Sequence, residues 1–135
     1  MSRDDADAGK ASVDTSTQGT LFHNPRCSKS RGALELLTER GVTPTIVRYL
    51  EQPPQPGELR EILRLLGLPA RKLLRTGEAE YRELRLDDSS LDEGALIEAM
   101  SKHPKLIERP IFVRGDRAVI GRPPERVLEL LTPAG

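Results

Sequence analysis

A single thiol, Cys27, stands in the run His23-Asn24-Pro25-Arg26-Cys27-Ser28-Lys29-Ser30-Arg31, which also carries one of the two histidines of the 135-residue chain. A cysteine reacts as its thiolate, a minor species near neutrality unless the surroundings favour the anion. The surroundings here are favourable. A short apolar run, Thr20-Leu21-Phe22-His23, gives way at Ser28 to an apolar repeat of helical spacing, so Cys27 falls at a helix N-terminus. Unpaired backbone N–H groups and the positive end of the helix dipole meet there. Arg26 and Lys29 flank the thiol and Arg31 lies one turn on. His23, four residues back, can donate to or accept from the sulfur, and Ser30 can hydrogen-bond it. Such settings bring a thiol pKa down to roughly 3.5–7.5. The bland alternative is a buried structural cysteine, but Asn, Pro, Arg, Ser and Lys are not the company of a core residue. Ser30 occupies the place of the second sulfur in a Cys-x-x-Cys pair. Redox chemistry at Cys27 therefore needs a thiol from another molecule.

Three arginines outside this run bear on what the thiol meets. Arg75 follows Lys72-Leu73-Leu74, while Arg109 and Arg122 each precede a proline, Pro110 and Pro123, at the ends of elements. Guanidinium forks match tetrahedral oxyanions. The competing reading is that these are solvated surface arginines, since the chain has 21 Lys and Arg in all.

The elements that position these groups follow from periodicity. Thr20–His23 reads as a strand broken by Asn24-Pro25. Ala33, Leu34, Leu36 and Leu37 mark a helix that stops at Arg40-Gly41, and 45–50 is a second strand. A right-handed crossover makes these two strands parallel neighbours. Beyond the proline-rich connector 51–56, Leu59, Ile62, Leu63, Leu65 and Leu66 predict a helix closed by Gly67. A short helical turn follows over 69–74, then an ambiguous element near 80–84. A helix carrying Leu91, Ala95, Leu96, Ala99 and Met100 is next, started by a Ser90/Glu93 capping box. Residues 107–113 contain a strand that turns at 114–117 into its partner, 118–121. A final helix has proline in its first turn and carries Val127, Leu128, Leu130 and Leu131. The order is β-α-β, a helical insertion, then β-β-α, and a four-stranded mixed sheet covered by helices is the economical solution.

Composition narrows the class. Hydrophobic residues make up 36% and charged residues 31%, with Lys+Arg and Asp+Glu equal at 21. That balance argues against a general nucleic-acid binder. No apolar run is long enough for a bilayer span, and one cysteine cannot form an intramolecular disulfide. Residues 1–18 are too polar to offset their ordering entropy and are expected to be a disordered tail. One domain is expected over 19–133, with the helical insertion at about 56–103. The absence of an apolar N-terminal segment predicts a cytoplasmic protein, and a monomer is the default.

His23-Asn24-Pro25-x-Cys27-x-x-Ser30-Arg31, Tyr49-Leu50-Glu51-x-Pro53-Pro54, Leu73-Leu74-Arg75, His103-Pro104-x-Leu106-Ile107-x-Arg109-Pro110-Ile111 and Arg122-Pro123 together resemble the glutaredoxin-coupled arsenate reductase family. The resemblance covers about residues 20–131 and is nearest to a subgroup marked by Arg-Cys-Ser-Lys-Ser-Arg. It implies a thioredoxin-like fold, with Pro110 as the cis proline before the third strand. It implies that Cys27 is the nucleophile, that Arg75, Arg109 and Arg122 bind the oxyanion, and that His23 and Ser30 assist at the sulfur. The implied reaction is reduction of arsenate to arsenite, with glutathione as co-substrate, glutaredoxin as partner and no tightly bound cofactor or metal. Ser28-Lys29 departs from the Gly-Thr common after the cysteine, and Lys29 adds charge there. Two other functions fit the same fold: a glutathione-dependent thiol-disulfide reductase, and a redox-sensing transcription regulator that binds RNA polymerase. Ser30 in place of a second cysteine disfavours the regulator.

Overall fold

Strand β1, Thr20–His23, is buried along its whole length, as the inner strand of a sheet covered on both faces must be. The structure, a computed structural model, describes residues 18–131. The expected tail lies outside the described residues except for Gln18, whose Oε1 accepts from the Thr43 N–H at 2.8 Å. β1 leads into helix α1, Ser28–Glu39, which returns the chain to strand β2, Thr45–Arg48. β1 and β2 pair in parallel with His23 opposite Arg48. The helices α2 (Pro56–Leu66), α3 (Ala79–Glu83) and α4 (Glu93–Lys102) intervene before strands β3 (Ile111–Arg114) and β4 (Arg117–Ile120). The sheet order is β2-β1-β3-β4, with β3 antiparallel to both β1 and β4. This is the α/β, thioredoxin-like architecture expected from the sequence.

Alternation along the strands assigns the two cores. Phe22, Val47, Ile111 and Val113 face the inserted helices and pack with Leu59, Ile62, Leu96, Ile97 and Met100. Leu21, Phe112 and Val119 face the other way and pack with Ala33 and Leu37 of α1 and with Val127 and Leu130. Burying one such leucine is worth about 1.5–3 kcal/mol. Helix α1 ends as expected. Gly41 takes φ +78°, its N–H reaches Thr38 O at 3.0 Å, and the Val42 N–H reaches Leu37 O at 2.9 Å. This paired closure needs a left-handed residue at position 41.

Two local expectations are corrected, and one feature is new. The Ser90/Glu93 capping box does not form. Asp92 caps α4, its Oδ1 accepting from the Ala95 N–H at 2.8 Å, while Ser90 is held by Asp88. Glu93 instead accepts from the Ala70 N–H at 2.8 Å, tying α4 to a 3₁₀ turn over Ala70–Lys72. The closing element, Pro124–Leu131, is 3₁₀ rather than α. Its buried residues, Val127 and Leu130, are three apart, the repeat at which 3₁₀ side chains align. The new feature is an antiparallel bridge between Leu74 and Ile107. The Arg75 N–H reaches Leu106 O at 2.8 Å and the Glu108 N–H reaches Leu73 O at 2.9 Å. So short a ladder leaves no periodicity to read, yet it sets Arg75 beside Glu108. Arg109-Pro110 is cis as expected, and so is Arg122-Pro123.

Candidate active site

The site lies where the parallel strands β1 and β2 end, the usual place for ligands in α/β sheets. After His23 the chain turns sharply. Asn24 O accepts from the Cys27 N–H at 3.0 Å, and Asn24 Oδ1 accepts from the Arg26 N–H at 3.0 Å. Cys27 is the N-cap residue of α1, with extended backbone. Its thiol is partly exposed.

The thiol is tuned by opposing effects. Partial burial pushes its pKa up, but backbone hydrogen bonding by the Ser30 and Lys29 N–H groups and the Arg109 guanidinium outweigh that, and the net shift is downward. The cation that acts on the sulfur is therefore Arg109, from just before β3. Arg26 and Lys29 have exposed side chains, and Arg31 donates from Nη1 to Pro25 O at 3.0 Å, bracing the turn.

His23 and Ser30 form a buried pair beneath this turn. His23 Nδ1 and Ser30 Oγ are 2.7 Å apart, and the same Oγ accepts from the Asn24 N–H at 3.0 Å. The expected contact between the Ser30 hydroxyl and the sulfur is replaced by that residue's backbone N–H. Burial, then the charges of Arg48 and Arg31, lower the His23 pKa. A neutral imidazole therefore braces the turn that presents Cys27.

The three arginines singled out by sequence do converge, and a carboxylate absent from that list joins them. Arg75 Nη1 is 2.9 Å from Glu108 Oε1, Arg122 Nη1 is 3.7 Å from the same oxygen, and the Arg109 N–H reaches it at 3.3 Å. Arg122 Nη1 also donates to Arg109 O at 3.1 Å, and Arg75 Nε reaches Glu78 Oε2 at 3.2 Å. Arg75 and Arg122 are thus engaged by Glu108, whereas the Arg109 side chain faces the thiol and its buried Nε has no partner among the described residues. Nothing in the pattern around Glu108 marked it in the sequence. Among the described residues no cluster of three or more His, Cys, Asp or Glu could hold a metal ion. No helix among them is long and apolar enough to cross a membrane.

The order of elements, the lone thiol at the β1–α1 turn and the arginines before the two cis prolines describe a particular family, and the ArsC family model matches residues 22–130. The chain belongs to the ArsC family. Several known proteins are similar to it in sequence. The uncharacterized protein YfgD of Escherichia coli strain K12 is 56% identical over 115 residues, covering 84% of this chain and 97% of that one. An arsenate reductase of Neisseria meningitidis serogroup A is 48% identical over 112 residues, covering 82% and 96%. Among solved structures, an arsenate reductase from Vibrio cholerae superposes with a TM-score of 0.81 at 47% identity, over 90% of this chain and 98% of that one.

Proposed function

We propose that this ArsC-family protein reduces arsenate to arsenite with Cys27 as its sole nucleophile and external thiols as reductant. The observation that carries the proposal is the Cys27 thiol at the head of α1, its pKa lowered by two backbone N–H groups and the Arg109 guanidinium against the opposing effect of burial. Relatives named arsenate reductase support the choice of oxyanion.

The steps follow from that geometry. Arsenate enters with its oxygens toward Arg109, Arg75 and Arg122, which offset its charge. The Cys27 thiolate attacks arsenic, an As–O bond breaks, and the oxygen leaves as water after protonation. Glutathione adds its sulfur to the Cys27-bound arsenic and a second water departs. The thiolate of glutaredoxin then attacks the glutathione sulfur. An S–S bond forms, the As–S(glutathione) bond breaks, and its electron pair stays on arsenic, which becomes trivalent. Water displaces Cys27, releasing arsenite and restoring the thiol. The balance is one arsenate and two thiols giving arsenite, one mixed disulfide and one net water. Cys27 is the only cysteine in the chain, so both electrons must come from outside. His23 and Ser30 hold the turn that aims the sulfur.

The engagement of Arg75 and Arg122 by Glu108 favours one second reading, reduction of a glutathione mixed disulfide, which needs no oxyanion. A coupled assay with glutathione, glutaredoxin, glutathione reductase and NADPH separates them. Arsenate-dependent NADPH oxidation that stops when glutaredoxin is omitted supports the first. Turnover of a mixed disulfide without any response to arsenate rejects it.

A further inference from the structure

Two buried side-chain polar atoms lack a hydrogen-bond partner among the described residues, the Tyr49 hydroxyl and Arg109 Nε. Both belong to one corner of the molecule. Tyr49 follows the last residue of β2, whose Arg48 is paired with His23, so it leaves the sheet level with the turn that carries Cys27. Its side chain is 1% exposed and its ring joins the apolar cluster of Leu59, Leu73 and Leu74. The hydroxyl lies in the fields of Arg109, Arg75, Cys27 and Glu108. With its ring among those leucines and its hydroxyl buried without a partner among the described residues, the side chain stands where the apolar cluster borders the charged groups.

A buried hydroxyl without a partner is destabilising, and a phenylalanine would fill the same apolar space without that cost. We propose that the Tyr49 hydroxyl is a substrate-binding group that donates a hydrogen bond to an oxygen of the oxyanion held over Cys27. This inference rests on the oxyanion reading above and adds a donor outside the arginine trio. Arg109 supplies a charged donor from the β3 side, and Tyr49 supplies a neutral one from the β2 side, so a tetrahedral anion is gripped from both edges of the turn. Burial, opposed by Arg109 and Arg75, pushes the phenol up to about 12. The group keeps its proton and acts as a donor rather than an acid.

The test compares wild type with Tyr49→Phe by thermal unfolding, by iodoacetamide alkylation of Cys27 with increasing arsenate or inorganic phosphate, and by arsenate turnover. The proposal expects Tyr49→Phe to unfold at the same or a higher temperature and to be alkylated at the wild-type rate without anion. It expects the half-protecting anion concentration to rise by about ten- to a hundredfold, the range for a hydrogen bond to a charged group. A purely structural tyrosine would move the unfolding temperature and leave protection alone. Equal protection of both proteins overturns the role of Tyr49 even if arsenate is turned over. Weaker protection of the variant without any arsenate turnover supports Tyr49 and removes arsenate as substrate. No protection of wild type by either anion overturns both.

Discussion

Under the proposed function, Glu108 stands on nitrogens that an incoming oxyanion would use, so Glu108→Gln is expected to tighten anion binding. Glu108 Oε1 lies 2.9 Å from Arg75 Nη1 and 3.7 Å from Arg122 Nη1, with the three side chains 27%, 24% and 30% exposed. That exposure calls for an effective dielectric near 20. An anion sharing these arginines would have its centre roughly 6 Å from the carboxylate, where two unit charges repel by about 3 kcal/mol. Glu108 also holds the guanidiniums in place, a benefit of about 0.2–1 kcal/mol per partly exposed pair, which the amide retains in part. The balance predicts a gain of roughly 1–2 kcal/mol, or about 5- to 30-fold in Kd. Calorimetric titration of wild type and Glu108→Gln with inorganic phosphate and arsenate measures it. Unchanged or weaker binding by the variant would refute the reasoning, because Glu108 would then be a strut for the arginines and not a competitor for them.

Other expectations follow from the same geometry. The rate of Cys27 alkylation should reach half its maximum below the ordinary thiol value of about 8.5. Arg109→Ala should move that midpoint upward and weaken arsenate binding by about 1.5–3 kcal/mol, and a variant with both quantities unchanged would remove Arg109 from the site. His23 has a pKa lowered from 6.5, so below about pH 6.5 the unfolded chain takes up the proton first. Stability present above that pH should fall as pH drops through the depressed folded value. His23→Asn should flatten the decline in thermal melting between about pH 7 and 5, and parallel profiles for the two proteins would sink this account. A Cβ on Gly121 would sit 2.9 Å from Pro110 Cγ and 3.0 Å from Val127 Cγ1. Gly121→Ala should therefore cost about 1–3 kcal/mol in urea unfolding and raise the Cys27 alkylation midpoint by shifting the Arg109-Pro110 segment. Wild-type stability and midpoint would show that the segment yields without consequence.

Much of the frame was legible because local signals agreed with one another. The β1–α1–β2 unit was marked by the Asn24-Pro25 break, the apolar repeat of α1 and the Arg40-Gly41 stop, each with its own steric cause. That the thiol is not a core residue was legible because its neighbours are wrong for a core, and it stands partly exposed at the head of α1. Other features depended on competition between neighbours or on distant contacts. Ser90 and Asp92 both precede α4, and a Ser-x-x-Glu spacing does not say which will cap. The cations nearest Cys27 in sequence, Arg26 and Lys29, are exposed, while the one that acts on the sulfur comes from residue 109. Glu108 drew notice only when the Leu74–Ile107 bridge set it beside Arg75, and the Tyr49 hydroxyl only when it was left buried at the end of β2 without a partner among the described residues.

The central claim is that one thiolate, Cys27, carries arsenate reduction with electrons from outside the chain. Arsenate-dependent NADPH oxidation, measured for wild type and Cys27→Ser with glutathione, glutaredoxin and glutathione reductase present, tests it most directly. The account predicts turnover by wild type and none above background by Cys27→Ser. An inactive wild type, or a Cys27→Ser variant that still turns over arsenate, would contradict it.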